Sequence, residues 1–291
     1  MPITESTMLQ ISTLPKLSQQ TFSLLREFIY ENTGIYFQDH KKYLVEGRLG
    51  KRLQIYNMTD FEQYYRFLRS DPRGAAELKF FYDSITIKET SFFRNPPQFD
   101  AFETVLFPSL YRAKMSNGRT PIRIWSAASS SGEEAYTLAM MYLEKLMPVF
   151  PGISFEIIGT DISPFILDVA RKGVYRENVL RNMPENYRSK YMIQEGVNFR
   201  VKDEVKKFVR FENLNLYNTL QMRQMKAFDI IFCCNVLIYF DVKSKMQVIS
   251  DLYGSLNRGG YLNIGYAETL HGISGAFKVI NFPKTISYLK E

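Results

Sequence analysis

Four short apolar runs, Ile122–Trp125, Phe155–Thr160, Asp229–Cys233 and Tyr261–Ile264, constrain this chain most. Each is too short for a helix. Segments of helical period such as Ala135–Leu146 and Val242–Leu256 lie between them. Strands that are continuously apolar and alternate with helices predict a parallel sheet covered on both faces. The first 80 or so residues carry no such runs. Phe22, Leu25, Phe28 and Ile29 fall at helical spacing before the stop signal Gly34. A second helix is expected over about 40–55, with Val45, Leu49 and Leu53 as its apolar stripe and Lys41, Arg48, Lys51 and Arg52 on one basic arc. Helical segments also fit Asp60–Leu68 and the stretch after Pro72.

The expected organisation is a flexible tail over 1–15, a helical domain over 16–84, a linker and lead-in helix over 85–120, and an α/β domain over 121–291. Residues 183–212 interrupt the strand–helix alternation with a period of two, as in Val197-Asn198-Phe199-Arg200-Val201, and read as an inserted antiparallel hairpin.

Composition excludes several classes. Of the 291 residues 45% are hydrophobic and 23% charged, which argues against long disorder. No run reaches the roughly 18 apolar residues of a membrane span, and Met1–Ser6 lacks the basic and apolar features of a secretory signal. A cytoplasmic monomer is the expectation. The adjacent Cys233 and Cys234 sit too close for an ordinary disulfide, and with two histidines no zinc-ligand spacing exists. No metal is expected. The net charge of +7 is uneven: residues 181–211 hold eight basic side chains against four acidic ones, a pattern that fits either an acidic partner or a solvated face.

Three segments carry chemistry. Residues 122–134 read as a strand, a small-residue loop (Ala127-Ala128-Ser129-Ser130-Ser131-Gly132) and a helix start with two acids, Glu133 and Glu134. One glycine and two acids suit hydroxyls or an ammonium group better than a pyrophosphate; a tight structural turn is the other reading. Asp161 ends the second strand, where an acid either accepts ribose hydroxyls or, like Ser163, caps the next helix. The strand Asp229–Cys233 leads to Asn235 and Tyr239, whose polar groups face a ligand or satisfy backbone.

Five motifs in order are Thr-x-x-Glu-Thr-Ser-Phe-Phe-Arg (86–94), Trp-Ser-Ala…Ser-Gly-Glu-Glu (125–134), Gly-Thr-Asp-Ile-Ser (159–163), Cys-x-Asn-Val-Leu-Ile-Tyr-Phe (233–240) and Gly-Gly-Tyr-Leu…Gly (259–265). Together they resemble the CheR family of S-adenosylmethionine-dependent chemotaxis receptor glutamate O-methyltransferases, from about residue 18 to 290. The resemblance implies a Rossmann-like methyltransferase domain, a small all-α N-terminal domain and an inserted antiparallel β-subdomain. It implies cofactor contacts from Lys88, Thr90, Arg94, Glu133, Asp161, Asn215, Leu216, Asn235 and Val236. Arg94 and Tyr239 would lie closest to the reacting groups, with S-adenosylhomocysteine as the product.

The expected partner is the cytoplasmic helical bundle of methyl-accepting chemotaxis receptors, met by the basic arc Lys41, Arg48, Lys51 and Arg52. Lys88 stands where the family commonly has Asn, and Cys234 where it commonly has Arg. Some members bind a receptor C-terminal pentapeptide on a longer, Gly-rich hairpin. Here Tyr191–Phe211 contains only Gly196, so independence of that tether is expected. A signalling module of the same fold without turnover is the alternative. A nucleic-acid methyltransferase would carry an Asn/Asp-Pro-Pro-aromatic motif after the fourth strand, and a dehydrogenase would carry a Gly-rich fingerprint. Neither is present.

Overall fold

The computed structural model describes residues 15–291 apart from 117, 119 and 120. The tail expected over 1–15 therefore lies, but for Pro15, outside the described residues. The chain divides into two compact units, one of residues up to Phe28 with Phe37–Ile85, the other of Ile29–Tyr36 with Thr86–Glu291.

The smaller unit is helical. Helix α1 (Gln19–Thr33) begins in it, followed by α2 (Lys42–Ile55), α3 (Phe61–Ser70) and α4 (Gly74–Ile85). The apolar stripe read from the sequence is the buried one, with Val45, Leu49 and Leu53 each at most 1% exposed. Asp60 starts α3 by accepting from the Gln63 amide at 2.9 Å. At the centre the fully buried Glu77 carboxylate accepts from Arg52 Nε at 2.7 Å and Nη2 at 2.6 Å, and from the hydroxyls of Tyr56 at 2.8 Å and Tyr64 at 2.7 Å.

The larger unit is built on ten strands: β1 (Ile122–Ala127), β2 (Phe155–Asp161), β3 (Val174–Arg176), β4 (Met192–Glu195), β5 (Asn198–Val201), β6 (Val209–Asn213), β7 (Phe228–Cys233), β8 (Leu256–Ile264), β9 (Lys278–Phe282) and β10 (Thr285–Leu289). Seven form one sheet in the order β6-β2-β1-β7-β8-β10-β9. The first five run parallel, and β10 and β9 close the far edge antiparallel. Successive residues of the central strands feed opposite cores. Ile124, Ile157, Ile230 and Phe232 face one side, whereas Trp125, Ile158, Ile231 and Cys233 face the other. This is the Rossmann-like architecture expected. Flanking helices include α5 (Pro96–Ala101) and α6 (Phe107–Ser116), α7 (Glu133–Met141), α8 (Pro164–Lys172), and, beyond the short α9 (Glu185–Tyr191), α10 (Asp203–Lys206) and α11 (Thr219–Met222), the long α12 (Val242–Ser255).

The inserted sheet is antiparallel, in the order β3-β5-β4. It starts at Val174, ahead of the expected 183, and ends at Val201. Residues 209–213 instead form β6, paired in parallel with β2. Its Val-Arg-Phe-Glu-Asn alternation is that of an edge strand, which resembles a hairpin strand in sequence. The hairpin of β9 and β10 alternates likewise and carries no continuous apolar run.

Candidate active site

The ends of β1, β2 and β7 converge on one side of the sheet, as parallel strands must, and the loops that leave them form the site. After β1 the chain turns sharply, with positive φ at Ala128 (57°), Ser130 (51°) and Gly132 (93°). A Cβ on Gly132 would stand 2.7 Å from Phe211 Cζ, so both the backbone and the space demand glycine there. The loop is tied down by Ser129 N to Thr160 O (2.7 Å), Ser130 N to Asp161 Oδ2 (3.0 Å) and the Tyr175 hydroxyl to Ser131 O (2.6 Å).

Helix α7 then presents two neighbouring acids to different surroundings. Glu133 is 1% exposed, its carboxyl is met by Ser131 Oγ at 2.8 Å, and it lies in the electrostatic field of Tyr175. Burial pushes its pKa up to about 7. Glu134 is half-buried and accepts from Ser126 Oγ at 2.7 Å, at the end of β1. Burial raises its pKa, the Cys234 thiol and Arg94 oppose the rise, and Glu268 adds to it. Glu134, one of the two acids read at the helix start but not among the cofactor contacts the resemblance implied, is thus the acid grouped with Arg94, Cys234 and Glu268.

Asp161 ends β2 with each carboxylate oxygen on a backbone amide, Oδ2 on Ser130 and Oδ1 on Ser163 at 3.0 Å. The cap of α8 is Ser163, accepting from Ile166 N at 3.3 Å. Asn215 donates from Nδ2 to Asn32 O at 2.6 Å and accepts at Oδ1 from Tyr217 N at 3.0 Å, so its side chain braces residues 32–34; Leu216 beside it is buried. The same segment continues through a bridge between Ile35 and Phe240 and a bond from Tyr36 N to Tyr239 O at 3.0 Å.

The strap 86–94 approaches the loop after β1, where Ser130 Oγ donates to Lys88 O at 3.4 Å. Thr90 on it is half-buried. Arg94 is partly exposed, donates to Glu89 O at 2.6 Å and lies 3.7 Å from the Glu89 carboxylate. Beyond β7, Asn235 has a left-handed backbone (φ 60°), and Val236 leads into the turn Leu237–Tyr239. Cys234 Sγ lies 3.4 Å from the buried Gln98 Oε1, and Gln98 in turn donates to Ile264 O. Gln98 and Glu268 were also missed. Glu268 sits on a turn whose sequence, Gly265-Tyr266-Ala267-Glu268, carries no signal of the bonds it makes.

The small loop and the carboxylates of Glu134 and Asp161 fit a nucleoside that carries positive charge. Among the described residues no three His, Cys, Asp or Glu side chains could hold a metal ion. Nor is any helix long and apolar enough to cross a membrane.

Residues 88–286 match the CheR methyltransferase SAM binding domain, and 20–86 the CheR methyltransferase all-alpha domain. The chain belongs to the CheR methyltransferase family. Similar proteins include chemotaxis protein methyltransferase 2 of Vibrio cholerae, 33% identical over 94% of both chains. The chemotaxis protein methyltransferase of Borreliella burgdorferi is 36% identical over 88% of this chain and 90% of its own. That of Escherichia coli is 33% identical over 94% and 92%. Glu134, Asp161, the strap residues 88–94 and the loop 235–239 all fall within the stretch that matches the SAM binding domain. In the all-α domain, Arg52 is 12% exposed and committed to Glu77, and Arg48 donates to Ile85 O at 2.6 Å. Lys41 and Lys51 are the exposed members of the basic arc.

Four of the eight basic residues in 181–211 pair with acids of the same chain. Arg188 pairs with Glu177 at 2.9 Å, Lys190 with Glu144 at 2.7 Å, Arg200 with Glu195 at 2.7 Å and Arg210 with Glu212 at 2.6 Å. These pairs favour a solvated face over a site for an acidic polymer.

Proposed function

We propose that this protein transfers the methyl group of S-adenosylmethionine to glutamate side chains of chemotaxis receptors, giving methyl esters. The observation that carries the reading is the grouping of Glu134 with Arg94, Cys234 and Glu268, the last bonded to the amides of Asn235 and Ile238, and neither histidine is a member of that group. His40 lies in the turn before α2, and His271 in the loop after β8. An amine or alcohol acceptor would need a base to take its proton. A glutamate, with an ordinary pKa near 4.3, is already the nucleophile at pH 7.

The cofactor supplies a methyl group on a positively charged sulfur. Glu134, rather than the Glu133 expected from sequence, would hold its ammonium group, and Asp161 its ribose. The anchored amides of Ser130 and Ser163 fix the direction in which the Asp161 carboxylate presents its remaining lone pairs. Asn215 and Leu216 would flank the adenine, with the strap residues Lys88 and Thr90, and Asn235 and Val236, completing the pocket.

Charge disappears as the methyl moves, so excluding water favours the reaction. Holding the acceptor oxygen in line with methyl and sulfur contributes as much as roughly 7–11 kcal/mol. A cation clamped on the acceptor would stabilise the ground state more than the transition state. Arg94, tethered to Glu89, therefore positions the cofactor or closes the site, and Tyr239 orients the acceptor. Receptor docking falls to Lys41 and Lys51, the exposed members of the arc.

The compact inserted sheet supports independence of a receptor tail. A hollow of about 570 Å3 lined by Arg176, Glu177, Gln194, Val197 and Phe199 lies on it, and micromolar binding of a receptor C-terminal pentapeptide would overturn that independence.

The test is calorimetric titration with S-adenosylhomocysteine, followed by methyl transfer from labelled cofactor to receptor-bearing membranes. A carboxyl ester releases labelled methanol in alkali. Stable label would instead mark an amine acceptor and overturn the reading.

A further inference from the structure

Glu268 carries no ion pair among the described residues, yet its carboxylate is fully engaged. Oε2 accepts from Gly265 N at 2.6 Å and from Asn235 N at 2.9 Å, and Oε1 accepts from Ile238 N at 3.1 Å. One side chain from the turn after β8 thus binds both ends of the loop that follows β7. The two strands pair as far as Cys233 and Ile264, so backbone pairing stops just before this loop begins. What holds Asn235 beyond that point is Glu268.

Asn235 needs holding. Its φ of 60° lies in the left-handed region, which Asn enters more readily than other side-chain-bearing residues but which local hydrogen bonds must still hold in place. The surroundings permit no slack either. A Cβ on Gly265 would stand 2.7 Å from Glu268 Oε2, 2.8 Å from Asn235 N and 2.9 Å from Asn235 Nδ2. Glycine at 265 lets the carboxylate, the Asn235 amide and the Asn235 side chain meet in one place. The partners of Glu268 are the first residue of that loop, the turn that carries Tyr239 and the glycine that faces them.

From this geometry we infer that Glu268 is a positioning residue for methyl transfer, holding Asn235 and the Leu237–Tyr239 turn where the acceptor must be aligned. It acts through hydrogen-bond acceptance rather than through its charge. The inference rests on the methyl-transfer reading given above.

Three variants of the full chain separate the possibilities: Glu268→Ala, Glu268→Gln and Gly265→Ala. An error of about 1 Å in alignment can lower a rate about 100-fold, so Glu268→Ala is expected to lower kcat about 30- to 100-fold. Its affinity for S-adenosylhomocysteine should fall by a smaller factor than kcat, since the cofactor's charged and ribose groups are held from β1 and β2 and only Asn235 and Val236 lie on the loosened loop. Glu268→Gln keeps an oxygen able to accept from both Asn235 and Gly265 but turns its NH2 toward the Ile238 amide, so it should recover most but not all of the loss, to within about tenfold of the parent kcat. Gly265→Ala should reproduce the loss with the carboxylate intact.

A kcat for Glu268→Ala within threefold of the parent overturns the inference. So does a Gln variant as impaired as the Ala variant, because it would show that the bonds to Asn235 and Gly265 are not what sustains the rate. Should the parent protein methylate no receptor, the reading of the reaction fails instead. The tie is then judged by amide exchange at Asn235 and Gly265, which must quicken in Glu268→Ala and remain parental in Glu268→Gln.

Discussion

Glu133 and Glu134 are consecutive residues with separate serine partners, Ser131 for the first and Ser126 for the second. The division follows from the helix start, where neighbouring side chains diverge by about 100° around the axis. It separates an acid with a structural setting from one within electrostatic reach of Arg94.

Burial holds the Glu134 pKa above its ordinary value of 4.5, and a bound ammonium would favour the ionised form. Ligand binding must then release a proton when the pH lies below the raised pKa. Affinity for S-adenosylhomocysteine is accordingly expected to fall as pH is lowered through the raised pKa. Glu134→Gln should remove that dependence and weaken binding at pH 8 by about 1.5–3 kcal/mol, the range for a hydrogen bond to a charged group. Titration across pH checks both, and an unchanged pH profile in the variant would refute the assignment.

Glu133 makes the opposite kind of contribution. Its pKa stands at about 7 in the folded chain against 4.5 for the free group. The folded state therefore keeps a proton that the unfolded state loses, and stability declines as pH rises between those two values. Each unit is worth about 1.4 kcal/mol, so Glu133→Gln should stabilise the protein by up to about 3 kcal/mol at pH 8 and by nothing at pH 4. Denaturant melts at the two pH values decide the matter, and S-adenosylhomocysteine affinity should be unaffected.

In the all-α unit, Arg52 neutralises a buried carboxylate. Arg52→Ala should destabilise that unit by about 3–5 kcal/mol, because Glu77 would remain buried and unpaired. Lys51→Ala should change stability by less than about 0.5 kcal/mol. If Lys41 and Lys51 dock the receptor, reversing both charges should raise the KM for receptor membranes and leave cofactor affinity alone. Equal effects of Arg52→Ala and Lys51→Ala on melting would contradict the burial argument.

Tyr175→Phe removes the bond to Ser131 O, leaving a carbonyl of the cofactor loop without its partner. A loss of about 1–3 kcal/mol is expected, with weaker S-adenosylhomocysteine binding. Differential scanning calorimetry with and without ligand would show both, and a stable variant with full affinity would contradict the coupling of β3 to that loop.

The central strands were legible because residues buried on both faces of a sheet leave continuous apolar runs. The edge strand β6 and the hairpin of β9 and β10 were not, because half-buried strands alternate wherever they pair. At the site, Asp161 and Asn235 stood out through their place at strand ends. The choice between Glu133 and Glu134 needed the phase of α7, which composition does not reveal. Glu268 was hidden because its bonds run to the backbone amides of Ile238 and Asn235, 30 and 33 residues away in sequence. The basic arc was legible as a helix face, but its depth of burial was not. Arg52 and Lys51 look equivalent until Glu77 folds beneath one of them.

Residues 29–36 carry the sequence of the all-α domain but pack with the catalytic unit, through Asn32 to Asn215, Ile35 to Phe240 and Tyr36 to Tyr239. The boundary drawn along the chain is therefore not the boundary drawn in space. A fragment beginning at Thr86 would lose a piece of its own catalytic loop support. Exchange of N-terminal domains between relatives would import a foreign brace for Tyr239, so recombination at that junction is constrained by eight residues that no linear domain map assigns to catalysis.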